Sequence, residues 1–256
     1  MSLISKIETA SAISRGFICM TGYTVASPFH RPSRLRFLEA ARERFSVYLR
    51  EPTLERVAVS ELVDTVEEIV LRHSIAGEWQ VTLPELAVLV GIAKSRSVSN
   101  IFEIGTFDGR TSLNLSLNSP SAAIRTIDLP DGVPGSPGGK KPGSLIRERV
   151  QEGAIEQLFG NSLEYDFSPW YGKQDFVFID AGHSYRNALA DSKTALKLVE
   201  GQEAIILWHD YASMPGVTQA VEETCAQISS DVTTGWIEGT SLAFVVSRPG
   251  SPIRLK

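Results

Sequence analysis

The stretch that decides the fold is Ile101-Phe102-Glu103-Ile104-Gly105-Thr106-Phe107-Asp108-Gly109. Its first half, residues 101–105, is apolar except for Glu103 and indicates a buried strand. Gly105 and Gly109 allow the chain to turn sharply into a helix whose N-terminal N–H groups are free to bind a ligand. We therefore expect a ligand-binding turn between the first core strand and the next helix.

The turn does not fit a dinucleotide. The G-x-G-x-x-G fingerprint lets the backbone approach a pyrophosphate, but here Phe107 and Asp108 bring bulk and negative charge. S-adenosylmethionine has no phosphate and carries a sulfonium cation and an amino group, so nearby acids such as Glu103 and Asp108 suit it. Asp128 ends the next strand, 23 residues after Gly105, where it could accept hydrogen bonds from both ribose hydroxyls.

Other apolar runs outline the rest of a sheet. They occupy residues 123–128, 176–180 and 204–208, with a weaker run at 155–159, and helical or loop segments separate them. Strands that are apolar throughout are typical of a parallel sheet covered on both faces, so the sequence predicts an α/β, doubly wound, Rossmann-like fold. Residues 232–238 and 241–247 predict a terminal antiparallel hairpin.

The N-terminal 80 residues follow a different pattern. Apolar spacing predicts amphipathic helices at about 34–49 and 60–74, which we expect to form a cap or an oligomer surface. Thr82 and Glu85 form a capping-box pattern that predicts the start of a third helix. We accordingly divide the chain into a helical N-terminal extension, residues 1–80, and a cofactor-binding domain, residues 81–256.

The amino-acid composition limits the partners and the compartment that we expect for the protein. The 256 residues carry a net charge of −5, which argues against nucleic acid or an anionic membrane surface as a partner. The two cysteines lack a CxxC pattern and no apolar run could span a bilayer, so we expect a cytoplasmic protein.

Residues 130–144 are rich in proline and glycine and predict a loop, either solvated or acting as a lid, without the pattern of a phosphate loop.

A second group of polar residues marks a reaction centre. Asp180 and His183 follow one predicted strand, and His209 and Asp210 follow its neighbour, so the four side chains should meet at one sheet edge. Imidazole is a suitable general base near neutral pH, and we assign that role to His183 with the help of Asp180. Asp180, His209 and Asp210 are candidate ligands of a divalent cation, such as Mg²⁺, that would activate the acceptor hydroxyl.

These motifs resemble the class I S-adenosylmethionine-dependent methyltransferases, and within them the small-molecule O-methyltransferases that include macrolide sugar O-methyltransferases. The resemblance covers residues 80–248 and rests on Glu103 to Gly109, Asp128, the stretches 178–185 and 207–211, and the hairpin. It implies a seven-stranded sheet with its last strand antiparallel, and an acid three residues before a catalytic histidine, which Asp180 and His183 match. His209 departs from the resemblance, because those enzymes carry a second acid there; imidazole favours a softer metal than magnesium, or none.

We therefore expect an O-methyltransferase that acts on a hydroxyl of a small molecule such as a sugar, a natural product or a phenol. The alternative is an inactive cofactor-binding or scaffold protein with the same fold. A hydrolase is disfavoured, because Arg186 replaces the second glycine of a nucleophile elbow and no histidine follows Asp210. The predicted cofactor-binding residues are Glu103, Gly105, Thr106, Asp108, Gly109, Thr111, Asp128, Leu129, Asn161, Ser162 and Asp180.

Each site residue also has a plainer interpretation. Asp128, Asn161 and Ser162 are residue types that commonly stabilise turns. Asp180 and Asp210 could bind loop N–H groups, and His209 could be a packed core histidine.

Overall fold

The computed structural model describes residues 51–66, 68–77, 79–133, 141–228 and 231–254. Residues 53–211 and 216–254 form one compact unit. Its strands are β1 (Arg56–Val57), β2 (Asn100–Ile104), β3 (Ala123–Asp128), β4 (Ile155–Phe159), β5 (Phe176–Ile179), β6 (Ile205–Trp208), β7 (Val232–Ile237) and β8 (Ala243–Ser247). Its helices are α1 (Leu83–Ser95), α2 (Arg110–Asn118), α3 (Arg147–Gln151), α4 (Tyr185–Leu198) and α5 (Pro215–Gln227).

The strands form a single mixed sheet in the order β1-β7-β8-β6-β5-β2-β3-β4. All neighbours are parallel except the two pairs that contain β8. The predicted α/β class, the mostly parallel sheet and the antiparallel end are therefore confirmed. The strand count is corrected from seven to eight, because Arg56 and Val57 add a short edge strand to β7.

The central strands are apolar throughout because helices cover them on both faces. All residues of β5, β6 and β8 are buried, so an alternating pattern would leave polar groups in the core. Burial of these side chains, each contributing roughly 1.5–3 kcal/mol, is what holds the sheet together. The rigid sheet fixes the positions of the loops that follow β2, β3, β5 and β6.

The predicted helix at 60–74 is wrong. Between Leu54 and Val81 the described residues contain only β1 and a short 3₁₀ turn, Val59–Glu61. Part of the backbone of this segment bonds to side chains of α2: Asn118 binds both N–H and C=O of Val70, and Asn114 binds both groups of Arg72. The predicted helix at 34–49 lies outside the described residues.

Helix α1 begins where its capping box predicts. The Thr82 hydroxyl accepts from the N–H of Glu85, and the Glu85 carboxylate accepts from the N–H of Thr82. Among the described residues no helix is both long and apolar enough to cross a bilayer.

The sheet order places a crevice between β2 and β5. From β2 the chain proceeds outward through β3 to β4, then returns to the other side of β2 as β5. In open α/β sheets a ligand binds at such a reversal, beyond the carboxyl ends of the strands.

Candidate active site

The turn after β2 is shaped by the neighbouring strand. Gly105 has φ 106° and donates its N–H to the carbonyl of Ile127 at 2.9 Å. A Cβ built at Gly105 would lie 1.9 Å from the carbonyl oxygen of Asp180. The glycine is therefore required both by its left-handed backbone and by the close approach of the chain at the end of β5.

A cleft of about 480 Å³ opens at this edge of the sheet. Its size is in the range of cofactor and drug-sized ligand sites. The predicted site residues that line it are Gly105, Asp128, Leu129, Asn161, Ser162, Asp180 and His183. The structure thus brings together, at one edge of the sheet, residues from the loops after β2, β3, β4 and β5.

Asp128 ends β3 at the wall of the cleft. Its carboxylate accepts the N–H of Phe107 at 2.6 Å and the N–H of Leu129 at 2.7 Å. Burial raises the pKa of Asp128, and the backbone hydrogen bonds oppose that rise. The backbone N–H of Thr106 is a third partner. A carboxylate offers about four acceptor positions, so one remains for a ligand after the turn has been stabilised.

Asn161 and Ser162 follow β4 on the same cleft. The side-chain oxygen of Asn161 accepts the N–H of Leu163 at 3.1 Å, which is an Asx turn. Ser162 lies close to the buried carboxylate of Asp191, whose pKa burial raises to about 6 although the serine hydroxyl opposes the rise. Both residues face the cleft, as predicted, and one of them also stabilises its own turn.

Other predicted cofactor residues lie beside the cleft or deeper in the fold. A smaller recess is lined by Glu103, Thr106, Asp108 and Thr111. The Glu103 side chain is buried and accepts hydrogen bonds from Ser112 and Thr126. Burial raises the pKa of Glu103 to about 8. The carboxyl is therefore mainly neutral at pH 7 and is available as a polar, uncharged wall of the recess.

Asp108 and Gly109 shape the start of α2. Asp108 accepts the N–H of Arg110 at 3.2 Å and the side-chain amide of Gln80 at 2.5 Å. Gly109 is the N-cap with φ 89°, and a Cβ there would lie 2.9 Å from Ile146. These residues hold the turn in place, and their direct contact with a cofactor stays a prediction.

His183 and Asp210 form a hydrogen-bonded pair. Nε2 of His183 lies 2.9 Å from Oδ2 of Asp210. Burial alone would lower the pKa of His183, but the hydrogen bond and charge of Asp210 outweigh it and the net pKa is raised. Because Nε2 is held by the carboxylate, Nδ1 is the nitrogen that could take a proton from a ligand.

His209 is surrounded by carboxylates. Its Nδ1 lies 3.2 Å from Asp180 and 3.6 Å from Asp210, and its Nε2 lies 3.3 Å from Glu85. Burial opposes the charged ring, yet the three acids raise the pKa of His209 well above its usual value. The residue is not a core histidine among apolar neighbours but the centre of a polar cluster.

This cluster fits a divalent cation. Within the described part of the chain, Asp180, His209 and Asp210 each offer a ligand atom, and these atoms lie within 4.8 Å of one another. A metal-binding histidine commonly donates its second N–H to a carboxylate, which fixes the ring. The carboxylate of Glu85 has this role at Nε2 of His209, and Nδ1 is left for the side with Asp180 and Asp210.

Two residues of this site were missed by the sequence analysis. Glu85 was recognised only as part of a capping box, since nothing in the local pattern indicates that it meets His209. Trp79 lines both the cleft and the recess, with 58% of its surface exposed and φ 67°. A bulky residue in the left-handed region is unusual, but the sequence carries no signal of it.

Comparisons with known proteins agree with this geometry. Residues 102–211 match a family model described as a methyltransferase domain. No curated protein sequence matches the chain.

Similar solved structures include the SAH-bound methyltransferase PaMTH1 of Podospora anserina, with 15% identity, a TM-score of 0.51, and coverage of 67% of this chain and 81% of that one. A candidate caffeoyl-CoA O-methyltransferase of Staphylococcus aureus has 18% identity, a TM-score of 0.52, and coverage of 68% and 85%. The O-methyltransferase TomG of Streptomyces achromogenes, in complex with SAM, has 20% identity, a TM-score of 0.49, and coverage of 66% and 82%. At such identities, the likeness to the first two of these structures shows a shared fold.

Proposed function

Because residues 102–211 match a methyltransferase-domain family model, we propose that the protein uses S-adenosylmethionine to methylate a hydroxyl oxygen of a small molecule. The observation that carries the proposal is the cleft that joins the Gly105 turn, Asp128 and His183. It places a cofactor-sized space directly against an imidazole that is oriented by a carboxylate.

The residues around the cleft fit the parts of the cofactor. Asp128 has an acceptor position left for a ribose hydroxyl, and Asn161 and Ser162 border the space where an adenine edge would lie. The polar recess suits an amino-acid group, and Asp108 and Asp180 on its wall favour the positive end. When bound, S-adenosylmethionine supplies a methyl group that is already activated on positive sulfur.

His183 is proposed as the general base. A lone pair of the acceptor oxygen forms the new C–O bond, the C–S bond breaks, and its electron pair stays on sulfur in the neutral product. The hydroxyl proton passes to Nδ1 of His183. Asp210 holds the other nitrogen and stabilises the imidazolium that results, as a carboxylate does for a catalytic histidine elsewhere.

Positioning supplies much of the remaining rate enhancement. Alignment of two reactants can contribute about 7–11 kcal/mol to an in-line displacement. The loops that follow β2 and β5 would provide this alignment, because Gly105 and Asp180 both line the cleft and their backbones are in close contact.

A divalent cation is a second part of the proposal. Asp180, His209 and Asp210 would hold it, and it would lower the pKa of the acceptor hydroxyl. Ligands must be deprotonated to bind a metal, so the ion would compete with the proton on Nδ1 of His209. One imidazole and two carboxylates favour Mn²⁺ or Zn²⁺ over Mg²⁺.

Cofactor binding is tested by calorimetry with S-adenosylmethionine and S-adenosylhomocysteine. Asp128→Ala should weaken both at least about tenfold, which corresponds to about 1.4 kcal/mol. Asp131→Ala, on the exposed loop that follows, serves as the control. Unchanged affinity in Asp128→Ala would remove this residue from the site, and no binding by the native protein would overturn the proposed function.

Catalysis is tested by release of S-adenosylhomocysteine with a panel of sugars, phenols and hydroxylated natural products. His183→Ala should lose turnover and keep its affinity for the cofactor. A native protein that binds the cofactor and turns over none of these acceptors would favour the alternative, an inactive cofactor-binding scaffold.

Metal binding is tested by the rise in melting temperature with Mn²⁺, Zn²⁺ or Mg²⁺. His209→Ala and Asp180→Asn should abolish the rise, whereas Asp191→Asn should keep it. An equal rise in melting temperature in the native protein and the three variants would overturn the metal assignment and leave the cofactor proposal unaffected.

Four further expectations accompany the proposal. The acceptor is a small molecule, because the protein's charge disfavours nucleic acid and anionic membranes. The cytoplasm is the expected compartment on the ground of cysteine usage. A homo-oligomer formed through residues 1–80, and the division at residue 80, stay predictions.

A further inference from the structure

A segment of chain without helical structure lies along α2 and ends at the cleft. We call residues 70–81 the strap; the structure describes all of them except residue 78. Asn118, Asn114 and Arg110 lie at successive turns of one face of α2, and each binds strap backbone. The buried Arg110 donates to the carbonyls of His73 at 2.6 Å, Val81 at 2.7 Å and Ser74 at 3.4 Å.

The strap is anchored on both sides of Trp79. On the N-terminal side, Gly77 donates its N–H to the Gln80 side chain at 2.6 Å. On the C-terminal side, the Gln80 side chain donates to Asp108 at 2.5 Å, and Arg110 donates to the carbonyl of Val81. Trp79 itself keeps φ 67° with an exposed side chain. An unfavourable backbone at a well-anchored position points to a functional constraint on where the side chain lies.

Trp79 stands where the two cavities of the site meet. The cleft and the recess share four lining residues: Trp79, Gly105, Phe107 and Asp180. A cofactor with its ribose at Asp128 in the cleft and its amino-acid group in the recess must pass these four residues. The atom that links its two halves at that point is the sulfur.

We infer that the indole of Trp79 packs against the positive sulfur of bound S-adenosylmethionine and makes the site prefer this cation over the neutral product. The inference rests on the proposed function. Trp is the aromatic side chain that attracts a ligand cation most strongly, and the attraction disappears when methyl transfer removes the charge. Weaker retention of S-adenosylhomocysteine would assist its release.

The test compares the affinities of S-adenosylmethionine and S-adenosylhomocysteine by calorimetry in the full chain. Trp79→Leu should weaken binding of the cation at least about fivefold more than binding of the neutral product. Trp79→Phe, which keeps an aromatic face, should lie between Trp79→Leu and the native protein. Tyr171→Leu is the matched control, because Tyr171 is also a partly exposed aromatic residue and does not line either cavity.

A second readout is spectroscopic. Binding should change the intrinsic fluorescence of the native protein, and that change should be largely lost in Trp79→Phe but kept in Tyr171→Leu. A purely structural role of Trp79 would weaken both ligands equally, and this result, or no change in affinity, would overturn the inference. If the native protein binds neither ligand, the proposed function itself fails.

Discussion

The carbonyl oxygen of Asp180 occupies the space that a Cβ at Gly105 would need, since the two atoms would lie 1.9 Å apart. Gly105 and Asp180 are thus in close contact through their backbones. The same contact brings the ends of β2 and β5 together at the edge of the sheet where the cleft opens.

Gly105→Ala should therefore lower the free energy of unfolding by more than the left-handed backbone, with φ 106°, accounts for. A left-handed backbone costs an alanine about 1–2 kcal/mol, and overpacking adds about 1–3 kcal/mol. Gly153→Ala is the matched control, with φ 76° and nothing within 4 Å of its Cβ. Urea unfolding should give a larger loss for Gly105→Ala, together with lost cofactor binding; equal losses would show that the β5 loop simply moves aside.

The sequence predicts the sheet well because the apolar runs that indicate the strands are local features. The runs at 101–105, 176–180 and 204–208 are apolar throughout since both faces of these strands are covered, and each lies within one residue of an observed strand. Gly105, Asp128 and His183 could be placed at the cleft because parallel strands end at a common edge.

The strap and the centre of the polar cluster could not be predicted, because their partners are remote in sequence. Apolar spacing in 60–74 indicates a helix, but Asn114 and Asn118, more than forty residues away, take the hydrogen-bonding groups that a helix would use. Glu85 contacts His209, which lies 124 residues away in the sequence. The sequence pattern indicates only the local contact of Glu85, the capping box with Thr82.

Glu85→Gln should destabilise the fold by about 3 kcal/mol, as expected for breaking a buried charged pair. The carboxylate accepts from Thr82, Ser241 and His209 through both of its oxygens. A glutamine would turn an N–H₂ group towards donors at one of these positions. Thr82→Ala is the control in urea unfolding, because it removes the helix cap and one hydrogen bond to Glu85 but leaves the pair with His209, and should cost about 1 kcal/mol; comparable losses in the two variants would argue against the buried pair.

Asn114→Ala should loosen the strap without disturbing the sheet. Asn114 accepts the N–H of Arg72 at 2.6 Å and donates to its carbonyl at 3.0 Å, so both groups lose their partner. The cost is about 1–3 kcal/mol. Hydrogen exchange should quicken in residues 70–77 and remain slow in β2 and β5. Ser116→Ala serves as control, since this buried hydroxyl bonds to Leu113 and Arg149 and to no residue of the strap; similar exchange in both variants would mean that the strap is held by its other contacts.

Glu103 should make the stability of the protein depend on pH. Its pKa is raised from 4.5 to about 8 because the carboxyl is buried, so the folded state binds a proton that the unfolded state releases between those values. The stabilisation from this group is fully present below about pH 4.5 and is lost as the pH rises towards 8. The free energy of unfolding should fall by about 1.4 kcal/mol per pH unit in that window.

Glu103→Gln tests this, because the amide mimics the protonated carboxyl and can still accept from Ser112 and Thr126. Relative to the native protein, the variant should gain stability as the pH of urea unfolding is raised from 5.5 to 8.5. Glu156→Gln is the control: its carboxylate is exposed and paired with Arg125, so its pH dependence should follow that of the native protein. Parallel stability curves for native and Glu103→Gln proteins would mean that Glu103 is ionised in the folded state, and its charge would then stand at the wall of the recess.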